Sequence, residues 1–184
     1  MLKNIEFMDD ATRPKGPELN VTQEQRVPGR HLAMIHQHYR GNMQQLREYM
    51  AYVEAGEKSA ADLLKVAEAM PMLENYRRFG NLCGQHCQAI EMHHTIEDRA
   101  IFPRLAEKTG FAKVVERLVA EHVIVHAVLV RLIEVINVLV RDPNKQNFDN
   151  VVEVYDALEQ VLLSHFGYEE NEIGDALGYY NIQV

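Results

Sequence analysis

The chain has 184 residues, with 27 acidic and 19 basic side chains and a formal net charge of -8. That is one domain by size, and its acidic surface repels phosphate backbones, which excludes nucleic acid as an expected partner. Hydrophobic residues make up 47% and charged residues 25%, the balance of an ordinary soluble globular domain.

No apolar run is read as approaching the roughly 20 residues that span a bilayer, so no membrane partner is expected. The opening MLKNIEFMDDATRPKG has no signal-peptide core. Cys83 and Cys87, the two cysteines, stand four apart and make no disulfide framework, which points to a reduced, cytoplasmic setting.

Residues 1–29 show no period and contain Pro14, Pro17 and Pro28. They are expected to form an N-terminal arm ahead of one domain over 30–184. From His31, the residues Leu32, Ile35, Tyr39, Met43, Leu46, Met50 and Val53 recur at threes and fours, one face of a helix that Gly56 is expected to close. Ser59 is then a plausible N-cap for a short extra helix, AADLLKVAEAM, ended by Pro71.

A second long helix is predicted to about Arg99, with Leu82, Cys83, Ile90, Ile96 and Ala100 on its stripe and Pro103 bending or ending it. After the turn at Thr109-Gly110, Phe111 to about Arg141 is strongly helical, and Asp142-Pro143 stops it. Phe148 to about Phe166 forms the last helix, with a continuation to Leu177 left open. No strand signal appears. Four long amphipathic helices on short loops predict an all-α, antiparallel up-and-down four-helix bundle.

Of the 9 histidines, five are read onto the inner stripes. His36 lies on the first stripe, with His38 toward its flank. His93 and Glu97, His122 and His126, and His165 and Glu169 each stand i, i+4, and groups four apart project from one side of a helix. A single histidine on an apolar face is normally a core residue satisfied by a neighbour. Five imidazoles and two carboxylates converging from four helices need a common partner, because burying them unpaired is costly.

Imidazole with carboxylate and no thiolate suits iron, manganese or zinc. Seven ligands are too many for one tetrahedral ion and suit two metals bridged by the carboxylates and an oxygen, with about one position left open. His38 remains an alternative to His36. His94, which pairs with Asp98 at i, i+4, remains an alternative to His93, although the stripe puts His94 and Asp98 on a solvated flank. Cys83, His86 and Cys87 read as small core residues beside a satisfied histidine, or as a redox annex or access route. Tyr39 and Tyr168 are candidate pocket-lining groups.

The words HHTIE (93–97), HVIVH (122–126) and HFGYE (165–169) after His36 resemble, in order and spacing, the hemerythrin-like (HHE cation-binding) domain, and HHTIEDRAIFPRL and HFGYEENEI look like bacterial members. The resemblance covers residues 30 to 178. It implies two non-haem iron ions with a bridging oxo or hydroxo ligand, manganese or zinc being possible substitutes. His122, His126 and His165 would ligate the coordinatively full iron. His36 and His93 would hold the iron with the open site, and Glu97 and Glu169 would bridge.

The function implied is binding of dioxygen, or a related diatomic or peroxide-type ligand, for oxygen binding, sensing or storage. The alternatives are a di-iron enzyme acting on peroxide or nitric oxide, an iron-handling protein, and a histidine-rich structural bundle. The sequence leaves carrier against enzyme, and the oligomeric state, undecided. A chain of this length is not expected to hold a second, signalling domain.

Overall fold

The computed structural model describes Met8, residues 10–61 and residues 66–184, and for 57–61 and 66–75 its description is of the backbone. Four long helices make the bundle: α1 (Val27–Ala61), α2 (Val66–Ile96), α4 (Ala112–Arg141) and α5 (Lys145–Tyr179). A π turn (Glu97–Ile101) and the short α3 (Phe102–Ala106) extend α2. α1 packs on α2 and α5, and α4 packs on the same two helices. Neighbours in sequence are neighbours in space, the up-and-down arrangement that the apolar stripes demand.

Two helix boundaries differ from the sequence expectation. Gly56 does not close α1, which runs on to Ala61; one interior glycine costs a helix only about 1 kcal/mol. The short helix expected behind Ser59 is not a separate element. Ser59 lies inside α1, and α2, described from Val66, continues through Pro71. Residues 62–65 of that expected helix lie outside the described residues.

α4 is by length and composition apolar enough to cross a membrane, which corrects the reading that no run approaches that length. In the bundle Leu118, Val125, Leu132 and Leu139 on one face of α4 are buried, while Val119, Val123 and Val130 on another are exposed. Side-chain caps and turns close the ends. Asn144 accepts from the Asn147 N–H at 2.9 Å at the start of α5. Beyond its last turn Asn181 takes a positive φ of 53°, the left-handed conformation asparagine tolerates.

The core is divided. One apolar cluster gathers Leu32, Phe102, Leu105, Phe111, Leu118, Ile173 and Leu177. The other gathers Val53, Phe79, Leu132, Phe148, Tyr155 and Leu158, among others. Between them along the bundle stand the buried polar residues: His36, then His93, His94 and Glu97, then Glu121 and His122, then His165 and Glu169.

The N-terminal arm is packed on the domain. The Tyr168 hydroxyl donates to the Pro14 carbonyl at 2.6 Å, and the Gly16 N–H donates to Glu172 at 2.7 Å. The segment entering α1 crosses α5 so closely that a Cβ on Gly178 would lie 1.4 Å from the Gln25 carbonyl oxygen, a crossing only glycine permits.

Candidate metal centre

Seven buried groups meet in the polar layer. His94, His122 and His165 form one set, and His36, His93, Glu97 and Glu169 the other; within each set one ligand atom per residue lies within 4.8 Å of the rest. The Nε2 atoms of His36 and His93 are 3.1 Å apart, and those of His122 and His165 are 3.0 Å apart. The carboxylates span the two sets. Glu97 approaches His93 Nε2 at 3.2 Å and His122 Nε2 at 3.6 Å. Glu169 approaches His36 Nε2 at 3.4 Å and His165 Nε2 at 3.7 Å.

Outer carboxylates fix three of the imidazoles. Nδ1 of His36 donates to Glu170 at 2.8 Å, and Arg40 holds the same Glu170 oxygen at 2.8 Å. Nδ1 of His122 donates to Asp98 at 2.8 Å. Nδ1 of His165 donates to the fully buried Glu121 at 3.1 Å, which is in turn gripped by Arg13 at 2.8 and 3.0 Å and by Arg117 at 2.8 Å. A carboxylate on Nδ1 selects the tautomer whose lone pair is on Nε2. The inner nitrogens of His122 and His165 are therefore both lone pairs, facing each other at 3.0 Å.

Such an approach is repulsive unless a cation lies between. Two imidazole nitrogens bound at right angles about 2.1 Å from one ion stand about 3.0 Å apart, so the layer fits a metal. Both oxygens of Glu97 and of Glu169, and both nitrogens of His94, are buried without a hydrogen-bond partner, a condition a native protein rarely leaves unanswered.

Burial, reinforced by the Glu169 charge, pushes Glu97 well above the usual carboxylate range, and burial raises Glu169 to about 8. Burial also lowers His93 to about 3, helped by the neighbouring imidazoles, and His165 to about 4 against the opposing Glu121 bond. Burial thus favours neutral rings at His93 and His165, as metal ligation requires, and opposes ionisation of Glu97 and Glu169. Burial acts against ionised Glu121 too, but its hydrogen bonds from His165, Arg13 and Arg117 outweigh it and hold the group down at about 2.

Of the seven residues expected from sequence, the structure brings together His36, His93, Glu97, His122, His165 and Glu169. It places His126 elsewhere: its side chain is 57% exposed and its Nδ1 pairs with Glu91 at 2.8 Å on the surface. The seventh position belongs to His94, 4% exposed, which stacks on His122 at 4.0 Å between ring centroids.

Helix phase explains the exchange. The buried arc of α4 extends from His122 toward Leu118, Val125 and Leu132. Four residues advance a helix face by about 40°, and His126 steps off the edge of the arc with the exposed Val119, Val123 and Val130. On α2 the stripe drawn through Leu82 and Ile96 is rotated from the true one, since both are exposed. Buried Tyr76, Phe79, Cys83, Cys87 and Ile90 put Ile90 at the centre. His93 and His94 then flank it on either side, and both reach inward.

His38 takes no part in the layer; it is exposed and accepts from Asn42 at 3.2 Å. Asp98 is the residue that orients His122 rather than a bare solvated flank. The π turn begins at Glu97 and ends at Ile101, ahead of Pro103, whose missing N–H interrupts the ladder. Its extra residue carries Ala100 outward and Ile101 inward.

The sequence reading missed Glu121 and Arg13, and it weighed Glu170 only as an alternative to Glu169, whereas the structure places it behind His36. The signal for Glu121 was present, as it sits three after Leu118 and four before Val125 on the buried arc. Arg13 lies 108 positions from Glu121, and no local pattern announces that pairing.

No curated protein matches the chain, and no solved structure matches it. A family model does, that of the hemerythrin HHE cation binding domain, over residues 27–177. With that match spanning nearly the whole bundle and the ligand-bearing layer inside it, the chain belongs to the hemerythrin HHE family of metal-binding domains.

Proposed function

We propose that this protein holds two non-haem iron ions and binds dioxygen, or a related small diatomic ligand or peroxide, at the ion carrying fewer imidazoles. The observation that carries this reading is the split of the layer into three imidazoles and two. His94, His122 and His165 lie on one side, His36 and His93 on the other, with Glu97 and Glu169 approaching both. When bound, the ions supply redox-active Lewis acidity and a vacant position on the two-histidine side.

The chain's own residues shape that side. Phe166 stacks on His36 at 4.2 Å and Tyr39 lies 5.3 Å from His93, centroid to centroid. The Tyr39 hydroxyl is engaged with the Ala89 carbonyl at 3.3 Å, so this face offers a small ligand an apolar wall. Such a wall excludes water and favours reversible binding over turnover. Glu170 and Arg40 hold His36 in place from behind.

The test begins with metal analysis of the purified protein, expected to give two irons per chain. The protein is then reduced anaerobically and exposed to oxygen. An oxygen-dependent visible band that bleaches when oxygen is removed supports a carrier. Irreversible oxidation with continued loss of added peroxide supports the enzyme alternative. Well under two metals per chain, with stability indifferent to chelator, defeats both.

A further inference from the structure

Among the described residues, eight buried side-chain nitrogens and oxygens lack a hydrogen-bond partner, and six of them belong to His94, Glu97 and Glu169 in the metal layer. The other two are both nitrogens of a single residue, His86. It is 5% exposed and seven residues from His93. It belongs to none of the side-chain groups that could hold an ion, so the metals that answer the layer do not answer His86.

His86 lies at a cleft of about 400 Å³ between α1 and α2, within the range of small-molecule sites. Carboxamides of Asn42, Gln45 and Gln85 line it on the polar side, and Leu46, Leu82 and Tyr49 supply apolar wall. No lining side chain is a carboxylate, an ammonium or a guanidinium. A charged guest would lose its hydration and gain no counter-charge.

Burial, with the nearby His38 charge, lowers His86 to about 4. The ring is therefore neutral, with one N–H to give and one lone pair to fill. We propose that this cleft is a binding site for a small uncharged hydroxyaromatic molecule. Its hydroxyl would meet His86 and the rim carboxamides, and its ring would pack on Leu46, Leu82 and Tyr49. Both imidazole nitrogens are closed off from solvent, so the proposed contact requires a lining side chain to move, and the exposed Gln85 beside His86 is the group assigned that movement. A guest there would be next to Tyr39, whose ring lies 6.2 Å from His86 and 5.3 Å from His93.

The site does not depend on the metals, so it is tested on the full chain both as purified and after chelation. Phenol is the probe, toluene the apolar control and benzoate the charged one, with the ring nitrogens of His86 followed by nuclear magnetic resonance. The expected result is saturable phenol binding that shifts both nitrogens, at least tenfold tighter than toluene or benzoate. In His86→Leu binding falls at least tenfold, and in His86→Gln it is partly retained.

Three results overturn the site: no saturable shift at millimolar phenol, toluene binding as tightly as phenol, or phenol binding unchanged in His86→Leu. The wild-type comparison of phenol with toluene stands even if a variant fails to fold. A chain that holds metal but not phenol sinks the cleft and leaves the layer intact; the reverse result sinks the layer and leaves the cleft.

Discussion

The polar layer and the apolar cluster beyond it occupy the same bundle, on the same four helices, yet obey opposite rules. Around Phe79, Leu132, Phe148 and Leu158 the buried side chains are chiefly apolar and pack on one another, and the helices would pack this way around any well-filled core. In the layer, the side-chain oxygens of Glu97 and Glu169 and the nitrogens of His94 have no hydrogen-bond partner. One region stabilises the fold by itself, and the other costs stability until an ion enters.

The contrast is tested most severely at the two carboxylates of the layer. Glu97→Ala or Glu169→Ala is expected to reduce iron from two per chain to one or fewer by elemental analysis, and His94→Ala is expected to lose one. Two irons retained in His94→Ala would remove it from the ligand set. In the apolar cluster the expectation is reversed. Leu132→Ala should lower unfolding free energy by about 2–5 kcal/mol in urea titrations while leaving iron content at two.

A middle case is Arg13→Ala, which frees Glu121 from its bidentate clamp and loosens His165. Loss of such an outer partner typically weakens metal binding about 10–100-fold, measurable by competition with a chelator. Arg13→Lys, which cannot form the two-pronged grip, should recover only part of it.

A subtler test is pH. Glu169 is raised to about 8, so its contribution is fully present below the unfolded carboxylate value of about 4.3 and is lost as pH rises through 8. The buried imidazoles of His93 and His165, lowered to about 3 and 4, work the other way. They cost stability as pH falls below about 6.5 and are silent above it. Chelated protein should therefore lose stability between pH 6.5 and 8 in urea titrations, and metal-loaded protein should not. The smallest effect is expected at His126, whose exposed pair with Glu91 should contribute little; His126→Ala should keep both irons and its melting temperature.

Legibility from sequence followed the range of the interaction. The bundle and six of the seven layer residues were readable because i, i+4 spacing and apolar stripes are local. The exchange of His126 for His94 was not, because it depends on the rotational phase of each stripe, and an exposed Ile96 or Leu82 is indistinguishable by type from a buried one. HVIVH looks like an inward pair only if its centre is assumed to face the core. Glu170 with Arg40, and Glu121 with Arg13, are links between distant segments that a single sequence does not display.

The π turn at Glu97–Ile101 has a consequence for which length changes this helix can survive. One residue removed between Asp98 and Ala100 would restore an ordinary α-helical turn and rotate everything after it by about 100°. Ile101, Phe102 and Leu105, now buried, would swing away from the cluster they fill, while His93, His94 and Glu97 kept their places. The added residue works as a phase adjuster between two segments with different duties, so substitutions around it should be tolerated far better than deletions.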